Sequence, residues 1–289
     1  MKKLLKKAIK FLYHVFWFGF WGNVSWYRTS LHSFVKTRHQ RNDDKIELKT
    51  RITNPLYLER FGFKVYSQND EDGIIEEIFN RIKVGNKIFV EFGVSNGLES
   101  NCHFLLHKGW RGLWIEMKAI DEIRRLFRIA INDKRLTVVN GFITKDNINV
   151  LIEKDGQISG EIDLLSIDID GNDYWVWEAI KCISPRVVVI EYNGKFPPNF
   201  EWVMDYDPKH TWKEDDEQGA SLKSLELLGT KLGYQLVGTN IMGVNAFFVK
   251  KELANDLFVK PAVAENLYNP TRWDMQYISG HPSKKYIGK

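Results

Sequence analysis

Short apolar runs alternate with helical patterns from about residue 87 onward, and this alternation constrains the fold more than any other feature. Five runs are bounded by turn residues and have the length of strands: Lys87–Gly93, Gly112–Glu116, Leu136–Val139, Ile162–Asp168 and Arg186–Tyr192. Helical periodicity fills the intervals, at Leu98–Lys108, Lys118–Asn132, Lys145–Glu153 and Tyr174–Lys181. Continuous apolar runs indicate strands buried on both faces, so the pattern predicts a doubly wound parallel α/β sheet.

Two more strands are predicted after a long loop. Residues 193–218 are rich in Pro, Trp and Asp and exceed the usual connection between a strand and a helix, which indicates a functional loop. A helix is predicted at Ala220–Leu232, followed by strands at Gly233–Thr239 and Val244–Lys250. The connection between these strands is short, so they are antiparallel neighbours. The prediction is a Rossmann-like sheet of seven strands that ends in an antiparallel hairpin.

Charge is distributed unevenly along the 289 residues. Residues 1–41 contain nine Lys or Arg and no acid, whereas the remainder contains 32 basic and 37 acidic residues. An acidic body lacks the positive field that phosphates need, so a nucleic-acid partner is not expected. Two cysteines, Cys102 and Cys182, are too few for a disulfide framework and fit a reducing, cytoplasmic compartment.

The N-terminal arm, residues 1–41, combines lysines at helical spacing with a dense aromatic run at Phe11–Trp21. A basic face opposite an aromatic face is typical of a helix lying in a membrane interface. We therefore expect residues 1–26 to contact an anionic membrane surface, with peripheral placement at the inner membrane. Packing of the aromatic side chains on the body or on a second subunit is one alternative. A signal peptide or short span is another, although Lys10 and His14 interrupt the apolar stretch.

A glycine-rich turn follows the first predicted strand, in the sequence V-E-F-G-V-S-N-G with Glu91, Gly93 and Gly97. Such a turn allows a ligand to approach the backbone at the carboxyl edge of the sheet. Glu116 ends the next strand, where a carboxylate can accept hydrogen bonds from both ribose hydroxyls of a nucleoside. The dinucleotide pattern G-x-G-x-x-G is not met, since Val94 and Ser95 follow Gly93, and Leu98 and Glu99 break the phosphate-loop pattern after Gly97.

These features together resemble the class I S-adenosylmethionine-dependent methyltransferases over residues 67–250. Five segments resemble more closely the bacterial FkbM-type methyltransferases encoded with surface-polysaccharide genes: S-Q-N-D-E-D, V-E-F-G-V-S-N-G, S-I-D-I-D-G-N-D-Y, V-V-V-I-E-Y-N and G-A-S-L-K-S-L-E. The expected organisation is an arm at 1–41, a linker at 42–66, the methyltransferase domain at 67–250, and a tail at 251–289 that packs on the domain.

The resemblance implies a set of cofactor contacts. The turn with Gly93, Ser95 and Gly97 would pass beneath the methionine part of S-adenosylmethionine, and Glu91 matches the acidic start of the motif. Glu116 matches the ribose-binding acid, and Asn140 stands where an acid or amide usually lies near the adenine. Asp168 is a further candidate for the cofactor's amino group. A tight turn without any ligand is the alternative.

Polar side chains also follow the fourth and fifth strands. Asp168, Glu191 and Asn193 are predicted to converge, and such oxygen ligands suit Mg²⁺. The arrangement resembles metal-dependent O-methyltransferases, in which a metal lowers the pKa of the acceptor hydroxyl. The alternative is that the segment Asp170–Asp173 is only a turn and a helix cap.

Candidate catalytic residues are Asp168 and His210, the latter as a general base in the long loop. We expect an S-adenosylmethionine-dependent methyltransferase that methylates an oxygen of a glycan or glycan precursor. A nucleotide-cofactor enzyme of another class, such as an NAD-dependent dehydrogenase, is one alternative, and a non-catalytic membrane-associated scaffold is the other. The sequence does not reveal the oligomeric state.

Overall fold

A single sheet of seven strands organises the chain in the computed structural model, which describes residues 49–213 and 217–272. The strands are β1 (Ile88–Phe92), β2 (Arg111–Glu116), β3 (Leu136–Asn140), β4 (Gly160–Ile167), β5 (Ile183–Glu191), β6 (Tyr234–Thr239) and β7 (Asn245–Lys250). Their order across the sheet is β3-β2-β1-β4-β5-β7-β6. The first five strands are parallel, and β7 is inserted antiparallel to both β5 and β6. This order is that of the Rossmann-like methyltransferase fold, so the predicted fold class is confirmed.

The helices lie mostly between successive strands. They are α1 (Glu71–Ile82), α2 (His103–His107), α3 (Ile120–Leu126), α4 (Arg128–Asn132), α5 (Ile148–Val150), α6 (Asp173–Ala179), α7 (Leu222–Lys231), α8 (Lys251–Ala254) and α9 (Ala264–Leu267). A 3₁₀ turn occupies Glu59–Phe61, and a π-helical turn at Leu151–Asp155 continues α5. None of the helices in the described ranges is long and apolar enough to cross a membrane.

Successive residues of the central strands pack on opposite faces of the sheet. Val90 and Leu165 belong to one apolar cluster, whereas Phe89 and Leu164 belong to the other. All four side chains are fully buried. Burial on both faces explains why these strands are continuous apolar runs rather than alternating ones.

Three predicted helices are shorter or more broken than their periodicity suggests. The helix expected at Leu98–Lys108 begins only at His103, because the Glu91 carboxylate accepts hydrogen bonds from the backbone N–H groups of Asn101 and Cys102. The helix expected at Lys118–Asn132 is divided at Phe127. The helix expected at Lys145–Glu153 is a short α-helix that changes to π-helical geometry at Leu151.

The chain divides into two compact units, one ending at Thr53 and one beginning at Asn54. Of the first unit the structure describes residues 49–53, which are helical. The predicted membrane-contacting arm, the aromatic residues at its centre and the end of the tail beyond residue 272 lie outside the described residues. The domain boundaries at 41, 66 and 250 stay predictions.

Hydrogen bonds connect the segment Asn69–Glu71, at the start of α1, to the turn between β6 and β7. Glu71 is fully buried, and one of its oxygen atoms accepts hydrogen bonds from the side-chain amides of Asn240 (2.9 Å) and Asn245 (3.0 Å). Asp70 accepts one bond from the backbone N–H of Ile241 (3.3 Å), and its second carboxylate oxygen is buried without a hydrogen-bond partner among the described residues. Burial, followed by repulsion from Glu71, raises the pKa of Asp70 to about 7.

This raised pKa predicts a pH dependence of stability. The folded state disfavours the ionised form of Asp70. The contribution of Asp70 to the unfolding free energy therefore falls as the pH rises from 3.8, the ordinary pKa of the carboxyl, to about 7, and it is constant at higher pH. The unfolding free energy then changes with pH by at most about 1.4 kcal/mol per pH unit. Above neutral pH, where ionised Asp70 destabilises the folded state, Asp70→Asn should have a larger unfolding free energy than the wild type. The difference should shrink toward pH 4. Urea unfolding across this range measures it, with the fully exposed Asp121→Asn as control. Parallel curves for wild type and Asp70→Asn would contradict the assignment.

Candidate functional site

A cavity of about 310 Å³ lies at the carboxyl edge of the sheet. Its walls come from the loops that follow β1, β2, β3 and β4, and from the tip of the long loop. The lining residues are Gly93, Ser95, Ile115, Glu116, Met117, Lys118, Ala119, Gly141, Phe142, Ile143, Asp168, Ile169, Asp170, Asn172, His210, Thr211 and Trp212. Ligands of open α/β sheets bind at this edge, so the cavity is the leading candidate for a binding site.

Gly93 forms the floor between the loops after β1 and β4. Its φ is +70°, and a Cβ atom at this position would lie 1.6 Å from the carbonyl oxygen of Asp168. Only glycine fits, because any side chain would separate the two backbones. Gly97 also has a positive φ, but a Cβ there would strike the side chains of Trp114 and Phe127. Gly97 is therefore buried against aromatic rings and does not line the cavity.

Glu116 ends β2 and fixes the two loops beside it. One carboxylate oxygen accepts a hydrogen bond from the backbone N–H of Ser95 (2.8 Å). The other accepts from the backbone N–H groups of Met117 (2.7 Å) and Lys118 (2.9 Å). Ser95 has a φ of +51°, which is uncommon for a residue with a side chain. The bond to Glu116 stabilises this turn and places both residues in the cavity wall.

Glu91 and Asn140 are placed differently from the other predicted cofactor residues, since neither lines the cavity. Glu91 is buried, and its carboxylate also accepts a hydrogen bond from Trp114 Nε1 (2.9 Å) in addition to the two backbone bonds. Burial raises its pKa to about 7, and these bonds oppose the shift. Asn140 pairs with Glu116 across the parallel strands and is exposed, while the next residue, Gly141, reaches the cavity.

The turn after β4 holds carboxylates that line the cavity and one that bonds to the backbone of the turn itself. Asp168 and Asp170 line the cavity, whereas Asp173 accepts hydrogen bonds from the backbone N–H groups of Ile169 and Gly171, both at 2.9 Å. Burial raises the pKa of Asp173 to about 6, and the two bonds limit the shift. Asp173 therefore shapes the turn, as the alternative of a structural turn anticipated, while Asp168 and Asp170 face the cavity.

Three carboxylates converge beneath the long loop. One oxygen each from Asp168, Asp170 and Glu191 lies within 4.8 Å of the others. Burial raises the pKa of Asp168 and of Glu191 well above the usual range, and repulsion within the cluster raises each further. Burial also raises the pKa of Asp170, against the opposing charges of Lys118 and His210. Such a cluster favours a bound cation or a shared proton.

Asn193, the third ligand predicted from the sequence, follows β5 and makes side-chain hydrogen bonds within the long loop. Its side-chain amide donates to the carbonyl of Gln218 (3.3 Å), and its Oδ1 accepts from the backbone N–H of Lys195 (3.3 Å). The amide therefore closes the base of the long loop. Asp170, which the sequence also places after β4, joins Asp168 and Glu191 in the cluster from a left-handed backbone conformation (φ +52°).

The long loop folds back over the turn after β4. The side chain of Asn172 donates to the carbonyl of Asp207 (2.7 Å), and His210 Nε2 lies 3.1 Å from the carbonyl oxygen of Asp170. Gly171 leaves room for this ring, since a Cβ there would lie 2.3 Å from His210 Cδ2. His210 thus forms part of the cavity wall near the acidic cluster. Trp212 of the long loop also lines the cavity.

Of the comparisons with known proteins, only the comparison with solved structures finds similar chains. No protein-family model matches the chain, and no curated protein sequence does. The magnesium protoporphyrin IX methyltransferase ChlM of Synechocystis PCC 6803, with bound SAH, is 9% identical (64% of this chain, 83% of that chain, TM-score 0.43). The N-terminal domain of EvdMO1, solved with SAH and D-fucose, is 10% identical (73% and 96%, TM-score 0.41). An O-methyltransferase family protein of Burkholderia thailandensis is 9% identical (75% and 70%, TM-score 0.39). Likeness at this level says nothing about the reaction or the acceptor of this chain.

Proposed function

We propose that the chain is an S-adenosylmethionine-dependent methyltransferase. The observation that carries the proposal is the cavity at the carboxyl edge, where the glycine turn at Gly93, the carboxylate of Glu116 and the acidic turn at Asp168 meet. A concave cavity of about 310 Å³ into which several polar groups converge has the size and position of a cofactor site. In this proposal the acceptor would enter the same cavity beside His210 of the long loop.

The residues of this chain would then bind and orient rather than react covalently. S-adenosylmethionine, when bound, supplies a methyl group on a sulfonium leaving group. A carboxylate has about four acceptor positions, of which Glu116 uses three for backbone N–H groups, so one is left for a ribose hydroxyl. Asp168 would accept from the cofactor's amino group. The carbonyl of Asp170 only accepts, so neutral His210 would carry its proton on Nε2 and keep Nδ1 as a proton acceptor for the substrate hydroxyl.

The cofactor assignment predicts a loss of affinity in Glu116→Ala. Hydrogen bonds to a charged group contribute about 1.5–3 kcal/mol each, so S-adenosylhomocysteine should bind roughly tenfold or more weakly, as measured by titration calorimetry. Glu116→Gln should lie between Ala and wild type, because it keeps one acceptor oxygen. Asp121→Ala, on the exposed surface of α3, is the matched control.

Two results would contradict this assignment. Unchanged S-adenosylhomocysteine affinity in Glu116→Ala would mean that the ribose lies elsewhere. Binding of NAD in place of S-adenosylhomocysteine would favour a dehydrogenase, and binding of neither would favour a non-catalytic scaffold. Thermal unfolding of each variant separates a lost contact from a lost fold.

We also propose that Asp168, Asp170 and Glu191 hold a divalent cation such as Mg²⁺. The donor set fits, because three carboxylate oxygens within 4.8 Å are hard ligands and their mutual repulsion is relieved by a cation. A cation held there would add positive charge beside the acceptor oxygen. Asp168 and Glu191 are retained from the ligands predicted by the sequence, and Asp170 is added; Asn193 stays a predicted ligand.

The cation proposal predicts direct binding of Mn²⁺, which electron paramagnetic resonance detects as loss of the free-ion signal. Glu191→Gln and Asp168→Asn should each weaken binding roughly tenfold or more, since each removes a charged ligand. Asp121→Asn should bind as the wild type does. A free-ion signal unchanged by millimolar protein would exclude the site, and the acidic cluster would then serve the cofactor and the turn.

The proposed acceptor is a hydroxyl of a glycan or glycan precursor. The support is the resemblance of five sequence segments to FkbM-type methyltransferases, together with the aromatic loop residues Tyr206 and Trp212. Flat aromatic faces pack well against the apolar face of a sugar ring.

This acceptor class predicts a change in cell-surface glycans. Mass spectrometry of polysaccharide from source cells that lack the protein should show the loss of one methyl group per modified sugar. The wild-type gene should restore the methyl group and Glu116→Ala should not. An identical methylation pattern in all three strains would show that the acceptor belongs to another class.

A further inference from the structure

A second cavity, of about 240 Å³, lies where the long loop meets helices α6 and α7. Its lining residues are Tyr174, Glu201, Trp202, Val203, Ser224 and Leu227, none of which lines the first cavity. Its volume suits a small group rather than a whole nucleoside cofactor. The proposed methyl transfer does not use any of these side chains.

The Trp202 indole is held in place from one side. Its ring stacks on Phe196 with centroids 4.6 Å apart, and Phe196 stacks in turn on Phe200 at 5.5 Å. The backbone N–H of Trp202 donates to the hydroxyls of Ser221 (3.1 Å) and Ser224 (2.9 Å). The indole thus reaches the cavity from a fixed backbone, which reduces the entropy lost when a ligand binds.

The charge of this cavity is negative. Glu201 is the one charged residue among those lining it, and it is exposed and makes no hydrogen bond or ion pair with the described residues. The basic side chains of the adjoining helix are already paired, Lys223 with Glu226 (3.1 Å) and Lys231 with Glu178 (2.7 Å). Burial, followed by the charge of Glu178, raises the pKa of Tyr174, so its phenol stays neutral.

We propose that this cavity binds an organic ammonium group, with the aromatic side chains of Trp202 and Tyr174 and the carboxylate of Glu201 as its contacts. Aromatic faces attract cations through the ring quadrupole, and Trp attracts them most strongly. The unpaired carboxylate adds the complementary charge. Binding here does not require S-adenosylmethionine in the first cavity, so this proposal and the proposed function can fail separately.

The test uses the full chain labelled with 5-fluorotryptophan and ¹⁹F NMR. Trp202→Phe assigns the Trp202 resonance among those of the ten tryptophans. Choline should shift this resonance and saturate at millimolar concentration, while its neutral isostere 3,3-dimethylbutan-1-ol should not. Glucosamine carries an ammonium group and N-acetylglucosamine is neutral. Comparing the shifts of the Trp202 resonance with the two sugars shows whether the cavity also accepts the ammonium group of an amino sugar.

Variants test the two kinds of contact. Glu201→Gln should weaken choline binding roughly fivefold at low ionic strength, and Tyr174→Leu should weaken it to a similar extent. Phe63→Leu, an exposed aromatic residue elsewhere, should leave it unchanged. Equal shifts with choline and its neutral isostere would overturn the proposal in favour of apolar binding. No shift of Trp202 with any probe would overturn it as well.

Discussion

The contact between the backbones of Gly93 and Asp168 determines the architecture of the candidate site. Strands β1 and β4 are neighbours in the sheet, so the loops that follow them leave the same edge side by side. A Cβ atom at Gly93 would lie 1.6 Å from the Asp168 carbonyl oxygen, so the loops can touch only through glycine. This contact brings the glycine turn and the acidic turn into one wall. The pairing of β4 with β5 then brings Glu191 close to Asp168, and His210 packs against the same turn at Asp170 and Gly171.

Carboxylates that accept backbone hydrogen bonds hold the loops of this edge in shape. Glu116 binds the turn at Ser95, Glu91 binds the chain before α2, and Asp173 binds the turn after β4. Burial disfavours the ionised form of Glu91 and Asp173, as their raised pKa values show, and the hydrogen bonds offset part of that cost. The acids in the sequence motifs are therefore partly structural, and only some face the cavity.

The sequence predicts the sheet well because burial on both faces gives its strands a local signature. It also predicts that Gly93, Ser95, Glu116, Asp168 and His210 lie at one edge, since they follow strands or belong to the long loop. It does not predict that Glu91 and Gly97 turn toward Trp114, because that depends on packing between β1 and β2. Nor does it predict the hydrogen bonds that Asn193 makes at the base of the long loop, which depend on how that loop closes.

The long loop links the two cavities through one framework. Val203 pairs with Ala220 as an isolated antiparallel bridge, and Met204 N–H donates to the Gly219 carbonyl (3.1 Å), so the two arms of the loop form a short ladder. Trp202 extends from this ladder toward the second cavity, whereas His210 and Trp212 lie beyond it in the first. Trp175 of α6 donates to the Met204 carbonyl (2.9 Å) and anchors the ladder to the sheet-covering helix. Because the same backbone supports both groups of side chains, the geometry of each cavity depends on this ladder rather than on the loop tip alone.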